Sequence, residues 1–189
     1  MGIASPSDDN GVYLINNFYK NNDSLKINIK VYDFNMNRKL DFPLKTDINT
    51  DSVKKIYTIN NTTELSEVYF VKLELYDKNN SLLSDNFYWL SKNGDANADF
   101  TALMNLKPVK LEVRYKSYHD KDGVLVDIVL FNNTNHLAFA VNPKIIDSIN
   151  SELITPIYWD NNYFAMLPNE QKHLKTKFYD DTNILNLNS

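Results

Sequence analysis

Cysteine is absent from the 189 residues, so neither a disulfide framework nor a thiolate metal site can form and the redox compartment leaves no trace. Glycine is scarce, at 4 residues. That excludes phosphate-cradling loops of the Walker or dinucleotide-binding type, and no nucleophile elbow or EF-hand loop is present. Positive charge is not in excess: 20 Lys+Arg face 24 Asp+Glu, for a formal net charge of −4. A chain so balanced lacks the basic footprint of a nucleic-acid or anionic-membrane partner. No apolar run is long enough to span a bilayer, and Met1–Asn10 has neither the basic n-region nor the apolar h-region of a signal peptide. That segment reads as a linker behind a start codon, as in a piece excised from something longer. The length also falls short of a complete (β/α)₈ barrel, which takes about 250 residues.

What is present is a chain able to build a core, 43% hydrophobic and 13% aromatic, with 28 asparagines. Asparagine tolerates left-handed turns and hydrogen-bonds its own backbone, so it is expected to take over turn work from glycine. Sequons occur at Asn22, Asn60, Asn61, Asn79 and Asn132, which chance explains at this asparagine content.

The dominant signal has period two. Leu25, Ile27, Ile29 and Val31 alternate with polar residues, as do Val71, Leu73 and Leu75. The same holds for Val109, Leu111, Val113 and Tyr115, and for Leu174, Thr176 and Phe178. Apolar groups on one face and charges on the other define half-buried antiparallel strands. Turn clusters separate the runs, at Asn21–Ser24, Asp77–Ser81, Asp120–Gly123 and Asn132–Asn135. Only Asp99–Met104 resembles a helical turn, with Asp99 as its N-cap.

The polar stretch Ser91–Asp99 carries no alternation and marks a boundary. The pattern predicts an all-β chain of two tandem immunoglobulin-like antiparallel β-sandwiches. The expected layout is a linker over 1–10, a sandwich over 11–91, a junction over 92–107, a second sandwich over 108–181 and a tail over 182–189. A single large jelly roll is the rival architecture.

Four segments in order carry a resemblance. They are Gly11–Asn17 with Leu25–Asp33; Val68–Asp77 with Leu83–Ser91, ending Asn86-Phe87-Tyr88-Trp89-Leu90-Ser91; Ala98–Leu103 with Leu106–Val109; and Ile157–Phe164 with Leu167–Glu170. Together they resemble the immunoglobulin-like domains behind the catalytic barrel of glycoside hydrolase family 2 exo-β-glucosaminidases and β-mannosidase-like enzymes. The Ser91–Asp99 junction is shorter than is usual there. The resemblance implies a non-catalytic C-terminal sandwich pair that buttresses a catalytic barrel absent from this chain. It implies an intramolecular partner, the barrel, and a secreted or periplasmic parent acting on glycans. The alternative is a stand-alone carbohydrate-binding or adhesive module; an independent hydrolase is the third reading.

Such hydrolases need two carboxylates about 5–9.5 Å apart across one sugar. Asn169-Glu170 imitates the Asn-Glu of a barrel acid/base, but it follows Leu167-Pro168 and precedes a solvated strand, so it reads as a turn. His119, His136 and His173 match no zinc spacing, and no cofactor is implied. Aromatic rings near loops are the remaining signal for sugar or barrel contact. Trp159, Tyr158, Tyr163 and Trp89 are the candidates, with one ring of each adjacent pair expected inside because neighbours on a strand face opposite ways.

Overall fold

In the computed structural model, which describes residues 1–5, 9–60, 64–121, 123–147 and 150–179, the alternating runs become antiparallel strands. The chain divides into two compact units, Met1–Asn105 and a second from Leu106 onward.

The first unit contains β1 (Gly2–Ala4), β2 (Gly11–Asn16), β3 (Asn22–Tyr32), β4 (Arg38–Ile48), β5 (Ser52–Thr58), β6 (Val68–Tyr76) and β7 (Leu82–Ser91). They form two sheets, ordered β1-β2-β5 and β4-β3-β6-β7. Register matches the alternation: Ile27 faces Leu75, Ile29 faces Leu73 and Val31 faces Val71. All six are buried, and with Ile3, Val12 and Leu14 they make one apolar core. Directly opposed apolar pairs of this kind are the unit of sheet stabilisation. On the other face of β6, Phe70 is also fully buried, stacked between Phe34 and Phe87 at centroid distances of 6.4 and 5.6 Å.

Two expected boundaries are corrected. Residues 1–10 are not simply a linker: Gly2–Ala4 pairs with Tyr13–Ile15, and Ile3 is buried in the core. Removal of the Ile3 side chain from water into that core favours the added strand. The stretch after β7 belongs to the first unit up to Asn105 instead of standing apart as a junction. There the Lys92 N–H donates to the Glu67 carbonyl at 2.8 Å, and 3₁₀ turns follow at Asp95–Asn97 and Thr101–Asn105. Asp99 accepts the Thr101 N–H at 2.8 Å, the cap its position suggested.

The second unit contains β8 (Glu112–Asp120), β9 (Gly123–Phe131), β10 (Ala138–Val141), β11 (Ile157–Trp159), β12 (Phe164–Met166) and β13 (Gln171–Phe178). Among the described residues one sheet runs β11-β13-β9-β8 and the other pairs β10 with β12. Val124, Val126, Ile128 and Leu130 of β9 meet Leu174 and Phe178 of β13 and Met166 of β12 in the core. Gly123 is required where β9 starts: its φ is +129°, and a Cβ there would stand 2.3 Å from the Phe178 carbonyl oxygen. The tail expected over 182–189 lies outside the described residues.

Left-handed backbone is shared more widely than the composition suggests. Asn10, Asn80 and Asn169 adopt it, but so do Ser24, Met36, Asp51, Ala140, Ser151 and Tyr163.

Among the described residues no sheet draws strands from both units. Fragments 1–105 and 106–189 are therefore each expected to melt cooperatively in differential scanning calorimetry. A cooperative melt of the whole chain alone, with neither fragment folding, would replace two units by one.

Candidate functional site

The four aromatic candidates divide by strand face. On β7, Tyr88 lies on the core side, where its hydroxyl oxygen accepts the Ser5 N–H at 3.3 Å. Trp89 points the other way, opposite Phe70, and is 45% exposed. On β11, Ile157 and Trp159 pack against the second core while Tyr158 between them is 68% exposed. This strand is tied to β13 by register, by the Thr176 hydroxyl donating to the Tyr158 carbonyl at 2.8 Å, and by Asp160 N–H donating to Lys175 at 3.1 Å. Tyr163 closes the following loop, 67% exposed and with φ 51°. The structure thus brings Tyr158, Trp159 and Tyr163 onto one strand and loop, and leaves Trp89 on the first unit. Of the adjacent pairs, the rings open to solvent are Tyr158 and Trp89.

Asn169-Glu170 is a closed turn. The Glu170 carboxylate accepts the Leu167 N–H at 2.7 Å, and Glu170 N–H returns to the Leu167 carbonyl at 3.2 Å. Its charge is spent on a backbone amide, as in a local cap. His119 and His173 are exposed and His136 is half-buried.

A charged cluster lies on the outer face of β3 and β6. Lys30 Nζ and Glu74 Oε2 are 2.9 Å apart, with Lys72, itself nearly buried, on the same face. Burial alone would raise the Glu74 carboxyl, but the Lys30 hydrogen bond and the charges of Lys30 and Lys72 outweigh it and hold the group below its ordinary value. At the surface, Asp9 accepts from Lys55 (2.8 Å), from the Tyr13 hydroxyl and from Gly11 N–H (2.8 Å), which lowers its pKa to about 2.

Two clefts are lined by described residues, and none of the four aromatic candidates lines either. One, about 250 Å³, is apolar and sits on the second unit between Val113, Tyr115, Val126, Ile128, Ile145 and Ile146. Val113 opposes Leu130 and Tyr115 opposes Ile128, so both share the core side of the sheet, yet they are 54% and 42% exposed. The facing two-stranded sheet is too narrow to cover β8. The other cleft, about 530 Å³, opens at one end of the first unit and is lined by Phe18, Lys20, Asn21, Asp23, Asp77 and Lys78 among others. Sequence reasoning passed over Phe18 and its neighbour Tyr19, although their signal is visible: two aromatic rings between the pairs Asn16-Asn17 and Asn21-Asn22, outside any alternating run.

The family described as the exo-β-D-glucosaminidase Ig-fold domain matches residues 86–186, starting within β7. An exo-β-D-glucosaminidase of Arthroderma benhamiae is 24% identical over 181 residues, covering 88% of this chain and 20% of the relative. The exo-chitosanase CsxA of Amycolatopsis orientalis superposes with a TM-score of 0.83 at 23% identity, over 94% of this chain and 23% of that one. A β-D-mannosidase from Dictyoglomus thermophilum gives a TM-score of 0.56 at 16% identity, over 93% and 19%. The chain spans about a fifth of the length of the curated relatives it matches.

Trp159→Ala is expected to cost about 3 kcal/mol through lost burial and the cavity left, whereas Tyr158→Ala should change stability by less than about 0.5 kcal/mol; urea midpoints check both. Stability should also depend on Glu74. A carboxyl depressed in the folded state contributes fully above its unfolded value, 4.5, and that contribution fades as pH falls through the lower folded value. Urea midpoints of the wild type should therefore fall between pH 5 and 3, and Glu74→Gln should show a shallower fall from a lower plateau.

Proposed function

This chain belongs to the exo-β-D-glucosaminidase Ig-fold domain family, and from that membership we propose that it is the non-catalytic β-sandwich part of a larger family 2-like glycoside hydrolase. The observation that carries the reading is coverage. The match takes up 88% of this chain but 20% of the curated relative, so most of such a relative lies elsewhere. A catalytic barrel in that remainder is the intramolecular partner, and the parent's substrate is a β-linked glucosaminide or mannoside.

Physical features support a buttressing role. The sheets supply stiffness through continuous antiparallel ladders, with β3 paired on both sides over most of its length. The apolar cleft at Val113, Tyr115 and Ile146 supplies a surface whose burial against the barrel releases water, at about 25 cal/mol per Å². The Glu170 carboxylate is engaged in its own turn, where it accepts the Leu167 N–H at 2.7 Å.

The purified chain is expected to hydrolyse aryl β-glucosaminides, β-mannosides and β-galactosides no faster than a buffer blank. Turnover that survives repurification and disappears in Glu170→Gln would overturn the non-catalytic reading. An upstream reading frame without a barrel bearing two catalytic glutamates would overturn the intramolecular partner.

A further inference from the structure

The cleft at the end of the first unit lies between the loop after β2 and the turn between β6 and β7. Its aromatic element is held in place before any ligand arrives. Phe18 N–H donates to the Asn16 Oδ1 at 3.2 Å, and the Phe18 carbonyl accepts from Asp51 N–H at 3.1 Å and from the Thr50 hydroxyl at 3.2 Å. Asn21 Oδ1 accepts Thr50 N–H at 2.9 Å, fixing the far end of the loop. Asn16 is itself 1% exposed. Despite this anchoring the Phe18 ring is 56% exposed, and the neighbouring Tyr19 ring is 95% exposed. The opposite wall is equally fixed, because the Asp77 carboxylate accepts Asn79 and Ser81 N–H groups at 2.8 Å each. A rigid loop that displays its rings instead of burying them loses little entropy on binding.

The polar lining selects the ligand class. Among the described residues, the side chains of Lys20, Asp23 and Lys78 make no hydrogen bond or ion pair with the rest of the chain. Charged residues of both signs are depleted at the centres of protein interfaces, which argues against a protein occupant. The mixture of signs also gives no preference for a polyanion. What remains complementary is a molecule with an apolar C–H face for an aromatic ring and a rim of hydroxyls for ammonium, carboxylate and carboxamide groups. The volume, about 530 Å³, falls within the range of about 300–1,000 Å³ typical of small-molecule sites.

We propose that this cleft is a glycan subsite, which takes a segment of hexopyranose chain with Phe18 as stacking platform and with Lys20, Asp23 and Lys78 as hydroxyl partners. It is lined by residues of the first unit and adds to the buttressing role without depending on it.

The test is an NMR titration of the 189-residue chain with glucosamine hexamer and, separately, mannose hexamer. Saturable shifts are expected in the amides of residues 17–23 and 77–83, with dissociation constants no weaker than about 1 mM. Phe18→Ala should weaken binding about tenfold, with an unchanged urea midpoint because the ring is exposed. Asp23→Asn, a near-isosteric second variant, should weaken binding too, and Leu153→Ala, at an exposed residue of the second unit, should leave it unchanged. Saturable shifts confined to residues 157–163, or no shift with either hexamer, would overturn the subsite. So would absence of sugar binding combined with protection of residues 17–23 from hydrogen exchange in the longer parent, which would mark a protein interface. None of these outcomes measures hydrolysis, so the subsite and the non-catalytic reading stand or fall separately.

Discussion

A buried carboxamide is costly unless its donors and acceptor are all filled, and each unit is fastened by one asparagine that meets this demand from its own loops. Asn16 ends β2 and donates to the Lys20 and Asn49 carbonyls at 2.8 Å each. Asn132 follows β9, is fully buried, and donates to the His136 and Leu167 carbonyls at 2.8 and 3.0 Å. Its oxygen accepts from the Thr134 hydroxyl at 2.7 Å. Each carboxamide therefore locks two loops that no sheet ladder reaches. The Asn132 sequon is closed to glycosylation in the folded chain for the same reason. In the first unit, the exposed Phe18 ring owes its fixed position to the Asn16 bond.

Sheet width is the second constraint. Four strands facing three bury both flanks of the β3–β6 ladder in the first unit. Four facing two leave Val113 and Tyr115 on the core side of the edge strand β8 exposed in the second. The consequence is an apolar surface of the kind a larger assembly covers.

The resemblance borne by short segments agrees with the family match over 86–186. Its clearest segment, Asn86–Ser91, lies in β7, where the match begins. Tyr88 and Trp89 within that run take opposite faces, so one secures the core side of the strand and the other stands outside.

Period-two alternation was enough to determine the all-β class and to locate β3, β6, β13 and the start of β8, because side-chain direction along a strand is fixed by the pleat. It was also enough to mark Asn169-Glu170 as a turn, since proline and asparagine constrain the backbone locally. Only the tertiary structure decided which alternating faces find cover: Val113 and Tyr115 carry the same pattern as Ile27 and Ile29 but lie exposed, because burial depends on the opposing sheet. It likewise drew Gly2–Ala4 into a sheet and turned Trp159 inward and Tyr158 outward. Asn16 and Asn132 became the fasteners among 28 asparagines by the same means. The hydrogen bonds that single them out span up to 35 residues, and no local pattern encodes contacts at that separation.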